Sequence, residues 1–199
     1  LPKFEYLNKV KSKCEDVGAL LILDEIQPGF GRTGRFFGFD HFNVKPDIVV
    51  MGKGMGGGLP VGAFTASNHL MKYFEENPKL GHITTFGGNP LIAASCLATL
   101  RELRDSKIID QIESKEKLFR KELEHKKINT ISGKGLMLAP ILKDSKTVNK
   151  LIYRCLDNGV LLFWLLWEKR AIRISPPLNI KDKDIKKGCK IIRNVLDKI

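Results

Sequence analysis

The chain has 199 residues, is 43% hydrophobic and 28% charged, and carries 34 Lys and Arg against 22 Asp and Glu, a net charge of +12. That balance excludes a disordered tail, a collagen-like repeat and a small disulfide scaffold, and the length allows one or two domains with real cores. The charge is uneven: residues 1–100 hold 10 basic and 9 acidic side chains, and residues 101–199 hold 24 and 13. In the second stretch the basic residues interleave with apolar ones at helical spacing. That pattern describes solvated helix faces rather than a nucleic-acid or membrane surface, and neither partner is expected.

Phe4, Leu7, Val10, Cys14 and Val17 recur at helical intervals, and Gly18 follows as a stop. Residues 19–23 form a continuous apolar run, read as a buried strand that ends in Asp24-Glu25. A loop rich in Gly and aromatics runs from Pro28 to His41, and Pro46-Asp47 introduces a second buried strand, residues 48–51. A third strand is expected over 61–66, after a glycine cluster. Buried strands joined by long connections point to an α/β sheet covered on both faces. Asn89-Pro90 reads as a helix start, with Asn as the cap and Pro in the first turn. Residues 91–100 are apolar almost all round, so this helix is expected to be deeply buried.

Ile109, Ile112, Phe119 and Leu123 mark an amphipathic helix. Strands are expected at 128–131 and 135–142, a helix over 147–158, and strands near 160–166 and 171–175. Pro176-Pro177 breaks the chain, and Ile185, Cys189, Ile192, Val195 and Ile199 line a last helix. A domain boundary is expected near residues 100–107, inside or after the long helix, giving domains 1–103 and 104–199.

The four cysteines make no CxxC and the four histidines no HxxxH, so no metal site is expected. The longest apolar run, Val160 to Trp167, is too short to span a bilayer, and no signal peptide is visible. A reducing cytoplasm is the expected location. The chain begins with Leu inside a helical pattern and reads as part of a longer protein.

Three features stand at or near the ends of the apolar strands, where open α/β sheets bind ligands. Asp24 closes the first; alone it reads equally as a surface acid or a loop cap. Lys53 follows the second in Met-Gly-Lys-Gly-Met-Gly-Gly-Gly. Most lysines are simply solvated, but one held between glycines and partly desolvated has an amine able to form a Schiff base. Gly52 to Gly57 also fits G-x-G-x-x-G, yet a strand pattern follows instead of a helix, which rejects a dinucleotide fingerprint. A Walker loop fails because Gly54 stands where Ser or Thr is required. The third feature is Thr84-Thr85-Phe86-Gly87-Gly88-Asn89-Pro90, readable as an anion cradle or as an ordinary capped loop. Together, one carboxylate, one lysine and one phosphate cradle are what pyridoxal phosphate requires of a protein.

The chain resembles the class III aminotransferases. The resemblance rests on Leu23-Asp24-Glu25-Ile26-Gln27, Gly29-Phe30-Gly31-Arg32-Thr33-Gly34, Lys45-Pro46-Asp47-Ile48, Gly52-Lys53-Gly54, Thr85-Phe86-Gly87-Gly88-Asn89-Pro90, and Ile172-Arg173-Ile174 with Pro176-Pro177-Leu178. These segments occur in family order and cover the chain from end to end. The resemblance implies a fold-type I α/β protein dependent on pyridoxal 5'-phosphate. The chain would supply part of the large mixed-sheet domain, residues 1–103, and the C-terminal α+β small domain, residues 104–199. It implies that Lys53 is the Schiff-base lysine, that Asp24 partners the pyridine nitrogen, and that Gln27 donates to the phenolic oxygen of the ring. Thr85 resembles the threonine that binds cofactor phosphate across a homodimer interface. Arg173 resembles the small-domain arginine near the substrate carboxylate, or alternatively belongs to a structural ion pair.

The implied reaction transfers an amino group from an amino acid or ω-amine to a 2-oxo acid. Gln27 favours the ornithine, acetylornithine, 4-aminobutyrate and lysine type, without naming the donor. Decarboxylation-dependent transamination, an aminomutase reaction and a non-catalytic binding fragment are the alternatives. Pro28 departs from the usual Thr or Ser. Family members also carry a stretch of roughly equal length ahead of the matching segment, with a glycine-rich phosphate loop, an aromatic that stacks on the ring and a glutamate near the substrate arginine. The chain therefore reads as a second half, inactive alone.

Overall fold

The computed structural model describes residues 2–76 and 78–199. They form two compact units, each taken by itself below. One comprises Pro2–Gly31 with Arg35–Lys107, and the other comprises Arg32–Gly34 with Ile108–Ile199. The division falls after the long helix rather than within it, and the short segment 32–34 belongs to the second unit.

In the first unit, helix α1 (Phe4–Asp16) leads into strand β1 (Ile22–Asp24). Strand β2 (Ile48–Gly52) pairs parallel to β1, with Ile22 opposite Ile48 and Asp24 opposite Val50. Strand β3 (Gly62–Ala66) returns antiparallel on the other side of β2. The sheet is thus mixed, in the order β1-β2-β3. Two short helices, α2 (Asn68–Met71) and α3 (Tyr73–Glu76), precede the long helix α4 (Pro90–Asp105). Asn89 caps α4 as its sequence predicts: its side-chain oxygen accepts from the N–H groups of Leu91 and Ile92.

Asp47 locks the entry to β2. Its carboxylate accepts from Leu21 N–H at 2.7 Å and from Lys11 Nζ at 2.9 Å, tying α1, the approach to β1 and β2 together. The Leu21 N–H, followed by the Lys11 ammonium, holds the Asp47 carboxyl below its usual value of 3.8.

Two expectations of burial fail in this unit. Ile22 of β1 is 55% exposed and Phe64 of β3 is 42% exposed, so the sheet is not covered on both faces among the described residues. Helix α4 is not deeply buried either: Leu91 is 69% exposed, and Leu103 is its one buried residue. The apolar pattern marks surface suited to burial. A sheet of three strands has two edges, and only its central strand has neighbours on both sides.

The second unit holds a closed core. Helix α5 (Ile112–Glu122), strands β4 (Ile128–Lys134) and β5 (Met137–Leu142), helix α6 (Ser145–Asp157), strands β6 (Phe163–Trp164) and β7 (Ile172–Arg173), and helix α7 (Asp182–Asp197) follow in order. The β4–β5 and β6–β7 pairs are antiparallel, and bridges Leu138–Ile174 and Ile141–Ala171 join β5 to the β7 segment. Val148, Leu151, Ile152 and Cys155 of α6 pack with Ile185, Cys189, Ile192 and Val195 of α7 in one apolar cluster. Each such side chain, fully removed from water, contributes roughly 1.5–3 kcal/mol before entropy is counted.

A polar clamp closes this unit at the β4–β5 turn. Buried Glu116 on α5 accepts from Gly135 N–H at 2.6 Å and from Arg120 Nε at 2.9 Å. Arg120 in turn donates to the carbonyls of Ile131 and Gly133. Gly135 has φ +60, and a Cβ there would lie 2.7 Å from Thr33 Cα, so the 32–34 segment packs directly on the turn. Leu136 N–H donates to Arg32 O at 2.9 Å, and the Arg32 guanidinium donates to the carbonyls of Leu136 and Pro176.

Glu116→Ala would leave the buried Gly135 N–H without its acceptor and is expected to lower stability by about 2 kcal/mol. A urea titration followed by tryptophan emission reads this, since Trp164 and Trp167 both lie in this unit. The Asp47 carboxylate stabilises the fold fully above its unfolded pKa of 3.8, and that contribution is lost as pH falls through the lower folded value. Asp47→Asn is therefore expected to flatten the acid limb of the urea midpoint plotted against pH.

Candidate active site

The parallel pairing of β1 with β2 puts the two main candidate groups at the same, carboxyl end of the sheet. Asp24 is the last residue of β1 and lies opposite Val50; Lys53 follows the last residue of β2, three positions beyond Val50. Three residues of strand correspond to about 10 Å. Asp24 thus closes one strand and Lys53 follows the end of its parallel neighbour.

Asp24 is exposed, and its carboxylate accepts one backbone bond, from Ile26 N–H at 2.9 Å. This bond turns the chain at the end of the strand and fixes the acid beside Gln27, which is exposed. Lys53 opens a short 3-10 turn, Lys53–Gly56, and has φ +43, a left-handed conformation that costs a residue with a Cβ about 1 kcal/mol. The partial desolvation expected of it is not found: Lys53 is exposed in this chain. Lys53 lies one residue past the last ladder pair, Gly52–Gly62, where no strand neighbour covers it.

The turn carrying Lys53 is held by α4. Ser95 Oγ donates to Gly56 O at 2.7 Å, and Gly57 lies so close to the helix that a Cβ would sit 2.3 Å from Thr99 Oγ1 and 3.2 Å from Ser95 Oγ. Gly57 also has φ +59, so both space and backbone demand glycine there. Ser95 and Thr99 went unnoticed in the sequence. Their signal was two small hydroxyl residues four apart within the otherwise apolar stretch 91–100, a pair suited to close approach.

Glu25 was also missed as a residue in its own right. It is buried, and its carboxylate accepts from Gly38 N–H at 2.7 Å and Phe39 N–H at 3.0 Å. Burial raises its pKa above the ordinary value, opposed by those two N–H donors, while the Asp40 and Asp24 carboxylates add to the rise. Asp24 and Glu25 are consecutive residues at a strand end and have opposite fates: one exposed at the candidate site, the other folded into the aromatic loop containing Phe30, Phe36, Phe37 and Phe39.

Thr85 lies in the Thr84–Gly88 turn before α4 and is exposed. Two amides of the helix start, those of Leu91 and Ile92, are already taken by Asn89. No hydrogen bond or ion pair joins Thr85 to Asp24, Gln27 or Lys53 among the described residues, although all four belong to the first unit. Arg173 belongs to the second unit, on β7. It lines a cavity of about 490 Å³ together with Phe163, Ser175 and Asp184. Its Nε is buried without a hydrogen-bond partner, and its guanidinium carbon lies 4.9 Å from the centre of the Phe163 ring. The structural ion pair that was the alternative for Arg173 is not formed among the described residues.

Among the described residues no cluster of His, Cys, Asp and Glu has the makings of a metal site, and no helix is long and apolar enough to cross a membrane. The profile of the family described as "Aminotransferase class-III" matches residues 1–196. The chain belongs to that family.

Class III aminotransferases such as the acetylornithine and ornithine enzymes depend on pyridoxal phosphate and have the fold-type I architecture, so the fold expected from the resemblance holds. The chain is 35% identical over 200 residues to an acetylornithine aminotransferase of Caldanaerobacter subterraneus subsp. tengcongensis, a match covering 98% of this chain and 49% of that protein. A Bacillus anthracis aminotransferase structure superposes with a TM-score of 0.93 at 28% identity, over 100% of this chain and 49% of that one. The ornithine aminotransferase of Plasmodium yoelii superposes with a TM-score of 0.89 at 30% identity, over 100% and 53%. The chain spans about half the length of the relatives it matches.

The packing of α4 on the lysine turn is open to a direct test. Gly57→Ala is expected to lower stability by about 2 kcal/mol through backbone strain and the clash with Thr99. It should also speed hydrogen exchange at residue 57, whose N–H donates to Gly54 O. Adding Thr99→Ala should recover the part due to the clash and leave the part due to φ.

Proposed function

We propose that this chain contributes the lysine-bearing half of a transaminase, which moves an amino group from an amino acid or ω-amine to a 2-oxo acid. The observation that carries the reading is that Asp24 and Lys53 stand at the carboxyl ends of neighbouring strands, set by the parallel register of β1 on β2. Names of the similar proteins and the presence of Gln27 favour a donor of the ornithine or acetylornithine type.

The donor set fits pyridoxal phosphate. An exposed primary amine and an exposed carboxylate lie at the ends of neighbouring parallel strands, and an amide side chain, Gln27, follows the carboxylate. When bound, the cofactor supplies an electron sink that makes the proton on the amine-bearing carbon acidic. Lys53 Nζ would hold the cofactor's aldehyde and, when free, would carry the proton between the substrate carbon and the cofactor as acid and base. The Asp24 carboxylate would hold a proton at the pyridine nitrogen. Gln27 would donate to the phenolic oxygen. Thr85 would bind the phosphate of a second protomer's cofactor in a homodimer. Arg173 would take the carboxylate of the substrate, for which its unpaired buried Nε argues.

We assign the first unit to the large cofactor-binding domain and the second to the small domain. Four free cysteines suit a reducing compartment, the cytoplasm. Because the chain corresponds to half the length of its relatives, the isolated polypeptide is proposed to be inactive.

After incubation with pyridoxal phosphate, borohydride is expected to fix a pyridoxyl mass on Lys53, and Lys53→Ala should abolish it. Transfer from ornithine or acetylornithine to 2-oxoglutarate is expected only when a polypeptide matching the uncovered half of a class III aminotransferase is supplied. An adduct confined to another lysine overturns the assignment of Lys53, and full turnover by the isolated chain overturns its inactivity.

A further inference from the structure

We propose that Phe163 is a positioning residue that holds Arg173 for an incoming carboxylate, an inference that rests on the carboxylate-binding reading of Arg173. Phe163 and Arg173 are direct cross-strand partners in the antiparallel β6–β7 ladder. Such partners carry their side chains on the same face with Cβ atoms about 5 Å apart. Backbone register, not a chance rotamer, therefore delivers the ring to the guanidinium, and the guanidinium carbon sits 4.9 Å from the ring centre.

The neighbours on the strand show which way this face turns. Ile172 and Ile174, on either side of Arg173, are buried in the core cluster. Strand alternation turns Arg173 away from those two, and it lines, with Phe163 and with the core residues Ile174 and Ile185, the cavity whose size suits a small organic acid. Asp184 is the one acid among the residues lining that cavity, and no ion pair joins it to Arg173 among the described residues. The guanidinium therefore has an aromatic ring on one face and no anion at its edge. Its Nε is buried and orphaned. An arginine with no ligand to serve would gain by turning Nε toward water or toward Asp184, because an unpaired buried donor costs free energy. The ring holds it in the unsatisfied pose. A covered face leaves the in-plane N–H groups as the open donors, the arrangement that accepts a carboxylate with two parallel bonds.

The ring itself is braced. Phe163 meets Trp164 edge to face with centres 5.6 Å apart, and Trp164 meets Tyr153 of α6 at 5.8 Å. Trp164 Nε1–H donates to Asn149 Oδ1 at 2.7 Å, which anchors the aromatic row to α6. This row ends at the arginine. Trp164 also packs against the core cluster, which seats the row on the unit's apolar interior.

The test follows the Nε–H resonance of Arg173 by NMR in the full chain during titration with glutarate, with neutral glutaramide as control. Wild type is expected to show saturable movement with glutarate and none with glutaramide. Phe163→Leu should weaken glutarate about fivefold, within the range of a cation–π contact, while Phe163→Tyr, which keeps the ring, should stay within about twofold of wild type on the same basis. The urea midpoint and the amide signals of core residues Leu136 and Ile172 should be the same in all three, which separates positioning from general support of the fold. If Phe163→Leu binds as wild type does while Arg173→Met abolishes binding, the role of Phe163 is overturned and the carboxylate reading of Arg173 stands. If Arg173→Met leaves glutarate binding intact, or wild type shows no saturable movement, the carboxylate reading falls and the role of Phe163 falls with it.

Discussion

The parallel register of three residues governs the candidate site. Because Ile22 lies on Ile48 and Asp24 on Val50, the two strands end on the same side, and their following residues emerge together. A shift of one residue would turn Asp24 to the other face of the sheet and exchange it with Glu25. Two interactions oppose such a shift. Asp47 clamps the start of both strands through Leu21 and Lys11, and Glu25 N–H extends the ladder by donating to Val50 O. The Glu25 side chain then commits to the loop at Gly38 and Phe39, which leaves Asp24 as the carboxylate at the edge.

The lysine is placed by a different device. Its turn departs from β2 in a left-handed conformation and is pinned by Ser95 and Thr99 of α4 against Gly56 and Gly57. The cost of the backbone conformation at Lys53 is offset by contacts made three and four residues further on, at Gly56 and Gly57. The amine is thus set by a helix that itself buries little apolar surface among the described residues. In the second unit the order is reversed: a dense aliphatic core fixes β7, and Arg173 with Phe163 stand on its outer face.

Much was legible in the primary structure. A helix start was readable where a side chain satisfies backbone groups locally, as Asn89 does for α4; the Asp144 cap of α6, which accepts from Thr147 N–H, was not read, and that helix starts at Ser145 rather than 147. The 3.6-residue spacing of Ile185, Cys189, Ile192 and Val195 gave α7 and its core face directly, because both helix and burial follow one period. Asp24, Lys53 and the Thr85 turn stood out because a charge or a glycine cluster interrupts an apolar run. Burial in the first unit was not legible. Apolar residues in β1, β3 and α4 announce a preference for cover, and composition does not say whether a neighbouring surface supplies it.

The sequence by itself determined the family and the helices of the second unit, and it singled out Lys53 and Asp24 as the candidate amine and carboxylate. These follow from local patterning and from motifs a few residues long. Only the tertiary structure decided which of Asp24 and Glu25 remains exposed, that α4 grips the lysine turn through Ser95 and Thr99, and that Phe163 covers the face of Arg173. Each of these depends on a partner many residues away along the chain, and pairing of that kind is fixed by register and packing, which no local stretch of residues encodes.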